Sequence, residues 1–233
     1  MIKIAQGDIT RFRRFGGSTA IVNAANVGGL GGGGVDGAIH KAAGGELREH
    51  IESQFPVLFD DVRIPTGDAI VTPAYDIGVD AIIHTTGPIF PTGGARGTRF
   101  VGERKLICQR GYDPEMYLRL ALTRTLMLAK REFISNLAIP AISCGAFGCP
   151  FPTFARALHW TLRQFDLSDM EIVVVLFQDS EVEAFTEAWQ AIPRVETAKL
   201  AFDDPDPIDV PDTLSEDAVK ATQDGAPKEP EDA

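Results

Sequence analysis

"GGLGGGGVDGAIH", residues 28–40, places six glycines in seven positions and then opens an amphipathic helix with Asp36 and His40 on one face. The stretch follows an apolar run, TAIVN at 19–23, so its glycines fall at the carboxyl end of an expected strand and at the amino end of an expected helix. In open α/β sheets ligands bind along that edge. Glycines let backbone N–H groups come close to an anion, and the helix start adds the positive end of its dipole. The pattern therefore predicts a phosphate or diphosphate site, with a flexible turn as the plainer reading. It lacks GxxxxGK[ST], so there is no lysine for a triphosphate, and it matches the dinucleotide spacing GxGxxG only loosely.

The rest of the chain supports an α/β fold. Apolar segments at 2–5, 19–23, 69–72, 81–85, 137–143 and 171–177 read as strands. Several, such as IVVVLF, are apolar throughout, as strands covered on both faces are. Helical patterns fall at 35–43, 46–54, 114–130, 153–165 and 181–192, with start signals at Asp113-Pro114 and at Ser180 with Glu183 three residues on.

A second strand, glycine loop and helix unit lies at SCGAFGCP, 143–150, and two such loops on one sheet edge could grip a diphosphate from both sides. Asp8 ends the first strand, and Asn23 and Asn26 end the second, where they could face the same crevice. An amide both donates and accepts, which suits a ribose hydroxyl, whereas the Asp8 carboxylate could accept from an exocyclic amino group. Asp36 and His40 read either as functional groups or as a dipole-stabilised acid with a half-buried histidine behind it. His84 reads as a core histidine, and His50 and His159 have no sequence partner. Phe177 could lend its ring to a purine or belong to the core.

Composition sets limits. The net charge of −11 is uneven: residues 198–233 hold eleven acids and three lysines (net −8), leaving −3 for residues 1–197. That acidic, five-proline tail is expected to be disordered, serving either interaction or solubility. Residues 91–113 carry five Lys/Arg against two acids and read as a phosphate- or partner-reaching loop or as a solvated insertion. Cys108, Cys144 and Cys149 offer neither a disulfide framework nor metal spacing and are expected to be reduced thiols. With no leader-like or long apolar segment, a soluble, cytoplasmic protein that meets no membrane is expected; it is also expected to be a monomer.

GDIT at 7–10, IVNAAN at 21–26, GGGGVDGAIH at 31–40, PTGDA at 65–69, IHTTGP at 83–88 and IPAISCGAFGCP at 139–150 occur in that order. Together they resemble a macrodomain, most similar to the MacroD-type branch, over residues 1–193. The resemblance implies a three-layer α/β/α sandwich on a mixed, largely parallel sheet of six or seven strands, with 194–233 outside it. It implies ADP-ribose bound across the crest: Asp8 on the adenine amino group, Ile9 by its backbone, Asn26 on the distal ribose, and Phe177 beside the adenine. Gly32, Gly33, Gly34 and Val35 would form one diphosphate loop, and Ser143, Cys144, Gly145, Ala146 and Phe147 the other. Asn26, Asp36 and His40 match positions linked to hydrolysis in that branch. An enzyme that removes mono-ADP-ribose from Asp/Glu esters of macromolecules and deacetylates O-acetyl-ADP-ribose is thus implied, without cofactor or metal. A non-catalytic ADP-ribose reader and a phosphatase acting on a terminal phosphate of ADP-ribose are the alternatives. The basic 92–114 segment and the acidic tail depart from the branch pattern.

Overall fold

The computed structural model describes residues 2–13, 16–90 and 112–193. Residues 91–111 of the basic segment, with Cys108, and the acidic tail lie outside these residues. The centre of the fold is β2 (Thr19–Ala25), whose seven residues are buried at every position but one. It is flanked by β4 (Ala81–Thr86) and β5 (Asn136–Ile139), both parallel to it. Outside these lie β6 (Glu171–Leu176) and β1 (Lys3–Gln6) on one side and β3 (Ala69–Pro73) on the other, in the order β1-β6-β5-β2-β4-β3. Among the described strands the β3–β4 pair alone is antiparallel, so the sheet is mixed and largely parallel.

Strands that are apolar throughout have two faces to bury, and each face here meets its own helical layer. Ala20 and Val22 of β2 pack with α3 (Pro114–Arg131), α4 (Phe151–Leu162) and α5 (Asp179–Gln190) through Leu118, Leu122, Phe154, Leu158 and Phe185. Ile21, on the opposite face, packs with α1 (Gly34–Ala43) and α2 (Gly45–Gln54) through Ile39, Leu47 and Ile51. The result is a three-layer α/β/α sandwich of six strands and five helices among the described residues. A short 3₁₀ turn at Ile9–Arg11 follows β1. No helix among the described residues is long and apolar enough to cross a membrane.

Element boundaries differ from the sequence reading where local chemistry overrides hydropathy. The strand expected over 137–143 stops at Ile139 because Pro140 cannot donate to the ladder. At α3 the expected cap holds: Asp113 Oδ1 accepts from the amides of Glu115 (3.0 Å) and Met116 (3.3 Å). At α5 it does not. The helix begins two residues earlier than expected, and the Glu181 carboxylate, not Glu183, accepts from the amides of Phe177 and Gln178 at 2.9 and 3.1 Å.

Candidate functional site: a cleft between two glycine loops

Adjacent parallel strands end side by side, so the loops after β2 and β5 face each other. Between them lies a cleft of about 670 Å³. One wall is Asn26 to Gly28 with Gly32 to Asp36; the other is Ala141, Ser143 and Gly145 to Phe147. Gly87, after β4, and Asp60 and Asp61 complete the lining.

The glycine run is needed for two reasons. Gly34, at φ +60°, turns the chain into α1 in a conformation that other residues rarely adopt. Gly37 allows close approach, since a Cβ there would lie 2.4 Å from the Gly32 carbonyl oxygen. The first turn of α1 thereby directs amides without intrahelical acceptors toward the cleft. In the opposite loop Ser143 has φ +64°, is buried, and its hydroxyl has no hydrogen-bond partner among the described residues.

At the end of β2 the Asn26 side chain organises the cleft wall. Its Oδ1 accepts from the amides of Gly28 (2.9 Å) and Gly29 (3.2 Å). Its Nδ2 donates to the Gly31 carbonyl (3.0 Å) and to Asp36 Oδ2 (3.1 Å). Asp36, 4% exposed, is held from behind as well, where Asn23 Nδ2 donates to Oδ1 at 2.8 Å. Asn23 does not face the crevice, contrary to the sequence expectation; it is fully buried beneath Asp36.

The strand register explains this placement. Asn23 pairs with His84 across β2 and β4, and its Nδ2 lies 3.0 Å from His84 Nδ1. His84 pairs with Ile70 on β3, so Thr72 is its diagonal neighbour, with Oγ1 3.0 Å from Nε2. Proton directions follow from the ends of the chain. Asn23 Nδ2 can only donate, so His84 Nδ1 accepts and Nε2 carries the hydrogen toward Thr72, whose hydroxyl donates to the Pro73 carbonyl at 3.0 Å. The ring is therefore neutral, in keeping with burial, which with the nearby His40 and His50 pushes its pKa down to about 3.

His40 lies outside the cleft lining. Its Nε2 is 3.6 Å from Asp36 Oδ1, and its ring packs against His84 at 5.8 Å between centroids. Burial lowers its pKa, with Asp36 opposing and Arg48 adding to the shift. Burial likewise raises the pKa of Asp36, opposed by the Asn23 hydrogen bond and by His40. Cys144 is also outside the lining; a hydrogen bond with Cys149 and burial raise its pKa, leaving a poor nucleophile.

Asp8, Ile9 and Phe177 stand further along the same edge, where β1 and β6 end. The Gly7 amide donates to the Leu176 carbonyl at 2.8 Å, which brings the two strand ends together. Asp8 Oδ1 accepts from the Thr10 amide and hydroxyl at 2.9 and 2.8 Å, capping the 3₁₀ turn that buries Ile9. Phe177 is 69% exposed, outside the core. Sequence reasoning missed Thr72, Gly87, Asp60 and Asp61. The last two have φ of 42° and 64°, and tolerance of Asp for that region was the available signal.

A family model described as Macro domain matches residues 22–158. The chain belongs to the macro domain family. It is 36% identical over 190 residues to a macro domain-containing protein of Xanthomonas axonopodis pv. citri, an alignment covering 80% of this chain and 94% of the relative. A protein of Escherichia fergusonii named O-acetyl-ADP-ribose deacetylase is 35% identical over 164 residues, covering 70% and 79%. Among solved structures, an Oceanobacillus iheyensis macrodomain with ADPR superposes with a TM-score of 0.65 at 32% identity, covering 80% of this chain and 90% of that chain. A Trypanosoma brucei macrodomain in complex with ADP superposes with a TM-score of 0.61 at 25% identity, covering 79% and 67%.

Proposed function

We propose that this macrodomain binds ADP-ribose and hydrolyses esters at its distal ribose, releasing ADP-ribose from mono-ADP-ribosylated Asp/Glu side chains and acetate from O-acetyl-ADP-ribose. The observation that carries this reading is the Asn26–Asp36 contact inside the cleft, set between two loops suited to a diphosphate. The ligand would run along the crest from Asp8 and Phe177 at the β1 and β6 ends, past the β5 loop, to Asn26 after β2. Those four strands span three inter-strand spacings, about 14 Å, which suits an extended nucleoside diphosphate sugar. The orphaned Ser143 hydroxyl supports a polar ligand at the second loop.

In this reading loop amides hold the diphosphate, Asn26 fixes the distal ribose, and Asp36 orients a ribose hydroxyl or assists proton transfer as water attacks. The substrate phosphate helps activate that water. Water adds across the ester, leaving ADP-ribose and a free carboxylic acid. His40, behind Asp36, acts on its charge and position. The engagement of both Asp36 oxygens by amides also suits a reader that binds without turnover. Calorimetry with ADP-ribose, paired with ADP-ribose release from a glutamate-modified protein, separates the two: binding with release supports the hydrolase, binding alone the reader, and no binding refutes both. Phosphate release from a terminally phosphorylated ADP-ribose would select the phosphatase.

A further inference from the structure

Between α2 and β3 the chain forms a small hairpin. Phe59 and Val62 pair across a two-residue turn, with the Val62 amide donating to the Phe59 carbonyl at 2.7 Å and the Leu58 amide to the Val62 carbonyl at 2.8 Å. Asp60 and Asp61, both left-handed, form its tip, the conformation that such a turn requires. The hairpin is fixed to the cleft wall. Val27 O accepts from the Arg63 and Ile64 amides at 2.8 and 3.0 Å, and Arg63 Nη1 reaches the Gly28 carbonyl at 3.4 Å.

The outer strand of this hairpin is unusual for a surface segment. Val57, Leu58 and Phe59 are consecutive and 45%, 58% and 57% exposed. Contiguous exposed apolar side chains of this size mark contact surfaces more often than isolated ones do. Its tip lines the cleft next to Asn26, and the charged side chains lining the cleft among the described residues are all carboxylates: Asp36, Asp60 and Asp61. On the ADP-ribose reading, on which this inference rests, Asn26 marks the distal ribose. Whatever is attached to that ribose leaves the cleft beside the hairpin.

We propose that the 57–61 hairpin is a docking lip for the protein part of the substrate, selecting modified carboxylates that have apolar and basic side chains next to them. Val57, Leu58 and Phe59 supply apolar contact, and Asp60 and Asp61 attract a cation. The same two carboxylates carry charge of the same sign as a nucleic-acid end's phosphodiesters, and none of the described lining residues is a Lys or Arg.

The test is calorimetry on the full chain with probes that are not turned over, ADP-ribosyl peptides joined through an N-glycosidic amide in place of the ester. One peptide carries Leu and Lys beside the modified position, the other Ser and Glu, with free ADP-ribose and an ADP-ribosylated oligonucleotide end alongside. The Leu/Lys peptide should bind about tenfold more tightly than the Ser/Glu peptide. Leu58→Ser/Phe59→Ser should remove most of that ratio without changing affinity for free ADP-ribose. Asp60→Asn/Asp61→Asn, which keeps side chains tolerant of the turn, should weaken the preference for Lys and its salt dependence. Equal affinity for both peptides, equal losses for peptide and free ADP-ribose in the variants, or tightest binding of the oligonucleotide end would overturn the docking lip. Failure to bind free ADP-ribose would instead overturn the ADP-ribose reading, and with it the lip.

Discussion

Asn23 Nδ2 lies 2.8 Å from Asp36 Oδ1 and 3.0 Å from His84 Nδ1, so one fully buried amide ties the cleft carboxylate to a neutral histidine on the neighbouring strand. Everything that disturbs the histidine's proton therefore reaches Asp36.

His84 makes stability pH-dependent. Its pKa falls from 6.5 in the unfolded chain to about 3 in the fold, so the folded state binds the proton less readily. Its stabilising contribution is present above pH 6.5 and is lost as pH falls toward 3, with a slope approaching roughly 1.4 kcal/mol per pH unit. Asp36 acts in the opposite sense: its pKa is raised, so its contribution is present below the unfolded carboxylate pKa and lost as pH rises through the folded one. Urea denaturation between pH 4 and 7 should show the His84 slope. His84→Asn, which keeps an acceptor toward Asn23, should flatten it; an unchanged slope would count against a buried neutral His84.

Asn23→Asp tests the same junction from the other side. The change is nearly isosteric, yet it sets a second carboxylate against Asp36, and two such groups cannot both ionise at close range. Stability at pH 7 should fall by about 2–4 kcal/mol and recover as pH is lowered, and the acid limb of the pH–activity profile should move upward. A melting temperature equal to that of the parent at pH 7 would show that Asn23 does not hold a charged Asp36.

The sheet, its two helical layers and both glycine loops were legible in the sequence because apolar runs, glycine clusters and caps are local signals. The junction behind Asp36 was not. Asn23 read as a crevice residue because strand-end position was visible but the facing direction was not. Its burial depends on the register that sets it opposite His84, and register depends on partners 61 residues apart. Thr72 was illegible for the same reason. The β5 boundary was misplaced because Ala141 and Ile142 continue the apolar run past Pro140, and hydropathy does not register a missing N–H.

Gly37 gives a backbone prediction free of titration. A Cβ at this helical position would stand 2.4 Å from Gly32 O, a backbone atom that can move only with its loop. Gly37→Ala should therefore weaken ADP-ribose binding about tenfold or more, although alanine is favoured over glycine in helices. Gly45→Ala, in the first turn of α2 where a Cβ meets nothing within 4 Å, is the control. It should leave affinity unchanged and raise stability by up to about 1 kcal/mol. Equal affinity for the two variants would mean that the Gly32–Gly37 approach does not shape the site.

Asp36→Ala separates chemistry from binding. Removing the carboxylate leaves one N–H of each of the Asn23 and Asn26 side-chain amides without its acceptor, at a cost of about 1–3 kcal/mol in stability, so activity must be read well below the variant's melting temperature. If Asp36 orients the ribose hydroxyl or carries the proton, release of ADP-ribose from a glutamate-linked substrate should fall at least about tenfold. Affinity for ADP-ribose should stay within about threefold, since the loop amides and Asn26 remain. Loss of rate and binding in parallel would instead make Asp36 a support for Asn26, whose Nδ2 it accepts at 3.1 Å. The reacting group would then have to be sought elsewhere in the cleft.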